Sequence, residues 1–238
     1  MKMTASNLEI LAYEQTSLGM LCLRRRQPLH DPTITLTEIT LNHEFLMSSY
    51  YMDSETQLSK IALQMHGGDH LNILVGGLGL GYTAYEALCS KQVQSVRVVE
   101  FLPQVISWMN EGLVPLSKEL VSDKRLSVVE GDIYGQLAES PEKKFDVILI
   151  DVDHSPCERL DNKCGRFYTR EGLERASKHL REDGVLAVWS YTKDSPFADA
   201  LRDVFTEVRI ESITCKHKFF NNEKHTDWLF FAQNNNRE

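Results

Sequence analysis

The chain has 238 residues, enough for one large domain or a principal domain with a small partner, and enough to bury a core without disulfide or metal staples. Its composition is ordinary, 42% hydrophobic and 25% charged with 13 Gly and 7 Pro, which excludes disordered and fibrous classes. The formal net charge of -8 excludes a general nucleic-acid binder, since phosphate neutralisation needs a concentrated basic surface, and an acidic protein favours cationic substrates.

In chain order, residues 8 to 41 read as short strands: Leu8 to Tyr13, Leu18 to Leu23 with a Ser17-Leu18-Gly19 turn, and Thr33 to Leu41. Gln27 to Pro32 is a proline-bearing loop, and the basic triplet Arg24-Arg25-Arg26 reads as a solvated strand end or turn. From about Asn42 the apolar residues Phe45, Leu46, Tyr50, Leu58, Ile61, Ala62 and Met65 take helical spacing until Gly67-Gly68. This predicts an N-terminal β module over 1–55 and a larger domain over 56–238.

The remainder alternates strand and helix. Strands are predicted at Leu71 to Val75, Ser95 to Val99, Leu126 to Val129, Phe145 to Ile150 and Val185 to Trp189, with helices at Thr83 to Ser90, Val105 to Glu111 and Arg170 to Leu180. Near-continuous apolar strands are buried on both faces, as in a parallel sheet covered by helices. Glu207 to Cys215 and Asp227 to Ala232 would close it as an antiparallel pair. The expected class is α/β, a Rossmann-like, mostly parallel sheet preceded by a small β module.

The opening Met1-Lys2-Met3-Thr4 soon reaches Glu9 and Glu14, without the apolar core of a secretory signal, and the run Val147-Ile148-Leu149-Ile150 is far too short to span a bilayer. A cytoplasmic protein without membrane contact is expected. Cys22, Cys89, Cys157, Cys164 and Cys215 are scattered and odd in number, which suits a reducing compartment. The Cys157–Cys164 spacing is too wide for a zinc knuckle, so neither metal nor disulfide is expected.

The strand Leu71 to Val75 runs into Gly76-Gly77-Leu78-Gly79-Leu80-Gly81 and then a helix, where backbone must turn sharply and lie against a ligand that any Cβ would strike. Glu100 ends the second strand, at a distance where a carboxylate takes both ribose hydroxyls. Gly131-Asp132 follows the third strand and Asp151-Val152-Asp153 the fourth. Four successive strands thus present glycine or acid at their C-terminal ends, where open α/β sheets bind ligands. A nicotinamide dinucleotide competes for this pattern, but Asp132 suits the exocyclic amine of a single adenosyl group, and the glycine run lacks basic residues for a pyrophosphate.

With these pieces in place the chain resembles the spermidine synthase family over most of its length. The matching residues are Thr37-Glu38 and His43-Glu44-Phe45-Leu46, Val75-Gly76-Gly77, Val98-Val99-Glu100, Gly131-Asp132, Phe145 through Asp151, and Phe167-Tyr168. The resemblance implies a methyltransferase-like domain behind an N-terminal β module, self-association as a homodimer or homotetramer, and transfer of an aminopropyl group from decarboxylated S-adenosylmethionine to a small-molecule amine. It makes Glu100 the ribose ligand, Asp132 the adenine contact and Asp151 the first acid of the catalytic loop.

Three positions depart from the family pattern. Gly79 stands where an acid holds the cofactor's primary amine, His154 stands for the second catalytic acid with Asp153 beside it, and Asn42 replaces a tyrosine. The catalytic candidates are therefore Asp151, Asp153 and His154, and the cofactor-binding candidates are Gly76, Gly77, Gly79, Glu100, Asp132 and Asp151. Aminopropyl transfer, methyl transfer from S-adenosylmethionine and non-catalytic adenosyl binding all remain compatible with this set. Residues 153 to 168 read as a connection or a closing segment, and Trp189-Ser190-Tyr191 as core or as an aromatic wall. His43 is expected on a helix's first turn, with a structural or solvated role.

Overall fold

The structure is a computed structural model and describes residues 7–28, 31–152, 165–216 and 224–234. Its first strands, β1 (Leu8–Thr16), β2 (Gly19–Arg26), β3 (Leu36–Leu41) and β4 (Glu44–Ser48), form an antiparallel sheet in that order.

The fourth strand corrects the helical reading that began at Asn42. Asn42 and His43 both take positive φ, 52° and 72°, giving a two-residue hairpin turn across which Leu41 pairs with Glu44. Asn42 Oδ1 accepts the Met20 N–H at 2.9 Å and its Nδ2 donates to the Leu18 carbonyl at 3.1 Å, joining this turn to the β1–β2 turn. His43 accordingly lies in a β-turn, not on a helix. Cross-strand pairing outweighs the apolar spacing of a segment this short.

The arginine triplet does end β2, as expected, but its side chains are half-buried and partnered where simple solvation was read. Arg24 and Arg26 lie on one face of β2 and donate from Nε to the buried Glu38 carboxylate of β3, at 3.0 and 2.6 Å. Arg25, on the opposite face, donates to the Leu113 carbonyl at 3.0 Å.

The larger unit follows as α1 (Asp53–His66), β5 (Leu71–Gly76), α2 (Tyr82–Cys89), β6 (Val93–Glu100), α3 (Pro103–Asn110), α4 (Ser117–Ser122), β7 (Leu126–Glu130) and α5 (Ile133–Ala138). It continues with β8 (Phe145–Ile150), α6 (Arg170–Ser177), β9 (Leu180–Ser190), α7 (Ser195–Val204), β10 (Glu207–Lys216) and β11 (Lys224–Gln233). Its seven strands lie in the order β10-β11-β9-β8-β5-β6-β7, and β11 alone runs against its neighbours.

Strand alternation divides the core between the two faces of this sheet. Ile73, Val75, Val147 and Leu149 pack with the apolar sides of α1, α2 and α3, while Leu74, Ile148 and Ile150 pack with those of α5, α6 and α7. The N-terminal sheet joins the first of these layers through Leu21, Leu23, Ile39 and Leu41. The fully buried Trp108 of α3 adds a polar tie, donating its indole N–H to Glu14 Oε1 of β1 at 2.9 Å. The six-residue helices α4 and α5 are too short for sequence periodicity to mark them in advance, whereas α7 has ten residues, an Asp194 cap and Pro196 in its first turn, signals that the predicted elements leave unused.

Candidate active site

Strand order reverses between β5 and β8, the switch point at which open α/β sheets form a ligand crevice. Pairing continues just past the strands: the Asp151 N–H donates to the Gly76 carbonyl, Gly77 N–H to Val99 and Gly131 N–H to Glu100, each at 2.9 Å. The four strand-end loops therefore leave the sheet side by side. Gly77 has φ 91°, and a Cβ there would sit 2.2 Å from the Asp151 carbonyl oxygen, so no other residue fits between these loops.

Above them lies a cavity of about 620 Å³, within the usual range for small-molecule sites, lined by Gly77, Gly79, Glu100, Asp132 and Asp151. Gly76 lies beneath it against Ile133. Asp153 and His154, with Pro156, Cys157 and Cys164, lie outside the described residues.

Glu100 is buried, and its two oxygens accept the N–H groups of Leu78 at 2.7 Å and Leu102 at 2.8 Å. Burial pushes its carboxyl above the usual range, opposed by the amides of Leu102, Leu78, Gly79 and Phe101. A carboxylate oxygen has two lone pairs, so each remains able to accept from a ligand hydroxyl. Asp132 sits exposed at the rim and caps α5, accepting the Tyr134 N–H at 2.9 Å on Oδ1. Gly79 has φ 52°, and the Met47 sulfur from β4 lies 2.7 Å from where its Cβ would be. A thioether from the N-terminal sheet thus occupies the place toward which any side chain at 79 would point.

The other side of the cavity holds two acids that local patterns in the sequence did not mark. Glu55 stands in the first turn of α1, and Asp227 near the start of β11; both line the cavity with Asp151. Asp227 is two residues from Leu229 and so shares its sheet face, the one covered by α1. His225 Nε2 pairs with Asp227 Oδ1 at 2.7 Å. Thr83, in the first turn of α2, donates its hydroxyl to Asp151 Oδ2 at 2.6 Å.

Three carboxylates in one partly dry cavity resist joint ionisation. Burial first, then the Asp151 charge, raises the Glu55 carboxyl from 4.5 to about 8. Burial first, and Asp227 after it, raises Asp151 from 3.8 to about 6 against the opposing Thr83 hydrogen bond.

An acid raised in this way takes up a proton on folding, so Glu55 leaves the fold unburdened below its unfolded value and weakens it increasingly as pH climbs through about 8. Glu55→Gln is therefore expected to raise Tm. The gain should be negligible near pH 4.5, grow through neutrality and level off above pH 8, and thermal melts across that range check it. A gain independent of pH would show that Glu55 does not carry this burden.

Trp189 packs against the core layer beneath α1 and also lines the cavity with Tyr191, so it combines the two roles considered for it. Of the connection that follows β8, Phe167 and Tyr168 are buried, and the Tyr168 hydroxyl meets that of Tyr134 at 2.8 Å. This end of the segment is packed core.

A sheet of this order, with glycine and acids converging at its switch point under a small antiparallel sheet, defines a protein of the Rossmann-like methyltransferase fold with an N-terminal β module. Residues 43–209 match the family model of the spermine/spermidine synthase domain, and the chain belongs to that family.

It is 30% identical over 119 residues to the polyamine aminopropyltransferase of Oceanobacillus iheyensis, a match covering 49% of this chain and 22% of the relative. It is 31% identical over 131 residues to the polyamine aminopropyltransferase of Ruegeria sp., covering 54% and 43% respectively. The matched region thus spans less than half of either relative. A crystal structure of spermidine synthase in complex with the transition-state analogue AdoDATO superposes with a TM-score of 0.74 at 19% identity, covering 95% of this chain and 74% of that one.

Proposed function

We propose that this protein transfers an aminopropyl group from decarboxylated S-adenosylmethionine to a small amine. The observation that carries this reading is the grouping of Asp151, Glu55 and Asp227, from three separate elements, around a cavity whose opposite wall is the glycine loop and Glu100. Glu100 would take the ribose hydroxyls and Asp132 the adenine amine, with Gly76 and Gly77 keeping the strand end clear of side chains.

Asp151 would accept the proton from the acceptor's ammonium and so free the nitrogen lone pair. That nitrogen then bonds to the methylene carbon next to sulfur as the C–S bond breaks. The sulfonium takes the bond's electron pair and leaves as neutral methylthioadenosine, and the product amine keeps the carbon. Glu55 and Asp227 line the cavity beside a reactant pair that is cationic throughout, and that positive charge would favour their ionised forms once the reactants are bound. The family membership and the names of the relatives support the same activity. Asp153 and His154 keep their proposed place in the catalytic loop on the family resemblance alone.

Methyl transfer is a second reading, favoured by one observation: no carboxylate stands on the glycine loop at Gly79, where Met47 lies instead. Incubation with each sulfonium donor and a panel of diamines and polyamines separates the two. Methylthioadenosine release from the decarboxylated donor is expected. Release of S-adenosylhomocysteine from the intact donor alone would overturn aminopropyl transfer.

A further inference from the structure

A threonine inside a helix commonly folds its hydroxyl back onto the preceding turn's carbonyl, a partner that Thr83, the second residue of α2, does not have. Here it reaches across the crevice from α2 to the loop after β8, and meets Asp151 Oδ2 at 2.6 Å, the distance range of a hydroxyl donating to an ionised carboxylate.

The donor is itself fixed. Thr83 is 3% exposed, and its backbone carbonyl accepts the hydroxyl of Ser59, a fully buried residue of α1, at 2.7 Å. Packing between α1 and α2 therefore sets where the Thr83 hydroxyl stands.

From this geometry we infer that Thr83 is a positioning residue for Asp151, holding Oδ2 so that Oδ1 faces the cavity and keeping the carboxylate ionised among its acidic neighbours. The inference rests on the reading of Asp151 as the proton acceptor. Titratable groups lining the cavity with Asp151 include Glu55 from α1, Asp227 with His225 from β11, Tyr82 from α2, Tyr191 after β9 and, on the far wall, Glu100 and Asp132. Burial disfavours charge on Asp151, and the Asp227 carboxylate acts in the same direction. The Thr83 hydroxyl acts against both, because it hydrogen-bonds to the charged form.

The test compares Thr83→Val, which keeps the shape and removes the hydroxyl, with Thr83→Ser, which keeps the hydroxyl. Two readouts are needed: the Asp151 titration midpoint, from carboxyl-carbon NMR assigned with Asp151→Asn, and the pH profile of kcat/KM. Thr83→Val is expected to raise the midpoint by about one pH unit, the equivalent of a tenfold change in proton affinity. The acid limb of the profile should move up with it, with rates converging on the unmodified enzyme's at alkaline pH, and Thr83→Ser should restore both.

An unchanged midpoint in Thr83→Val, or Thr83→Ser behaving like Thr83→Val, overturns the inference. If the valine variant does not fold, Thr83→Ala carries the same comparison. Absence of turnover with every amine while the midpoint still moves would sink the transfer reading and leave the Thr83–Asp151 coupling standing.

Discussion

Asp151→Asn is expected to lower kcat/KM for aminopropyl transfer by about 10²–10⁴-fold, the usual contribution of a positioned general base, while methylthioadenosine binding stays intact. Asparagine keeps the size of the side chain and still offers an oxygen to the Thr83 hydroxyl, so the loop after β8 has no reason to move. What disappears is the capacity to accept a proton.

Misfolding is an unsuitable explanation for such a loss. The Asp151 carboxyl is raised from 3.8 to about 6, so it favours the fold below its unfolded value and burdens it as pH rises through about 6. At neutral pH the amide therefore removes a burden, and Tm should hold or rise. In the unmodified enzyme, kcat/KM should fall on the acid side of about pH 6 as Asp151 becomes protonated, a limb missing from the residual activity of the variant. Steady-state rates, calorimetric binding of methylthioadenosine and thermal melts check the three parts. A variant that keeps most of its activity would remove Asp151 from the chemistry.

The wall made by the glycine loop, Glu100 and Asp132 was legible in the sequence because each of its signals is local. A strand that ends in glycine or an acid announces its own C-terminal edge, and four such endings in succession specify a crevice once parallel pairing is assumed. Backbone hydrogen bonds at Asp151, Gly77 and Gly131 then fix the lateral order of those endings. Gly77 also has a reason that no linear pattern shows, namely the approach of the Asp151 carbonyl from another strand.

The opposite wall was not legible, because nothing within a few residues of Glu55 or Asp227 distinguishes them from solvated acids at an element's start. Their meaning comes from α1 crossing the sheet over β9, β8 and β11, and from β11 entering antiparallel between β9 and β10. The same limit explains Asn42 and the arginine triplet. A two-residue turn with both φ positive signals itself by Asn-Gly more readily than by Asn-His, and the partner of Arg24 and Arg26 is a glutamate on a neighbouring strand. Local chemistry thus pointed to a nucleoside crevice, and tertiary structure added the cluster of carboxyl groups beside it.

Glu100→Gln is expected to weaken methylthioadenosine binding by about 10²-fold, which is the effect of losing roughly two charge-assisted hydrogen bonds in part, at about 1.4 kcal/mol per factor of ten. The carboxylate is suited to the ribose because it presents two acceptor oxygens, each already aligned by a backbone N–H from Leu78 or Leu102. A glutamine offers one oxygen and one amino group. Whichever way it turns, that amino group faces a backbone donor, leaving a buried N–H without its acceptor at a cost of about 1–3 kcal/mol.

Loop disturbance and loss of ribose contacts are two separate routes to weaker binding, and the ligand distinguishes them. With methylthioadenosine lacking its 2′ and 3′ hydroxyls, the unmodified protein should already bind about as weakly as Glu100→Gln binds the intact nucleoside, and the substitution should add little further. Glu100→Gln weakening both ligands by the same large factor would mean that the carboxylate serves the glycine loop and not the sugar. Calorimetric titration of the two ligands against the two proteins completes the cycle, and its coupling term is the energy assigned to carboxylate and ribose together.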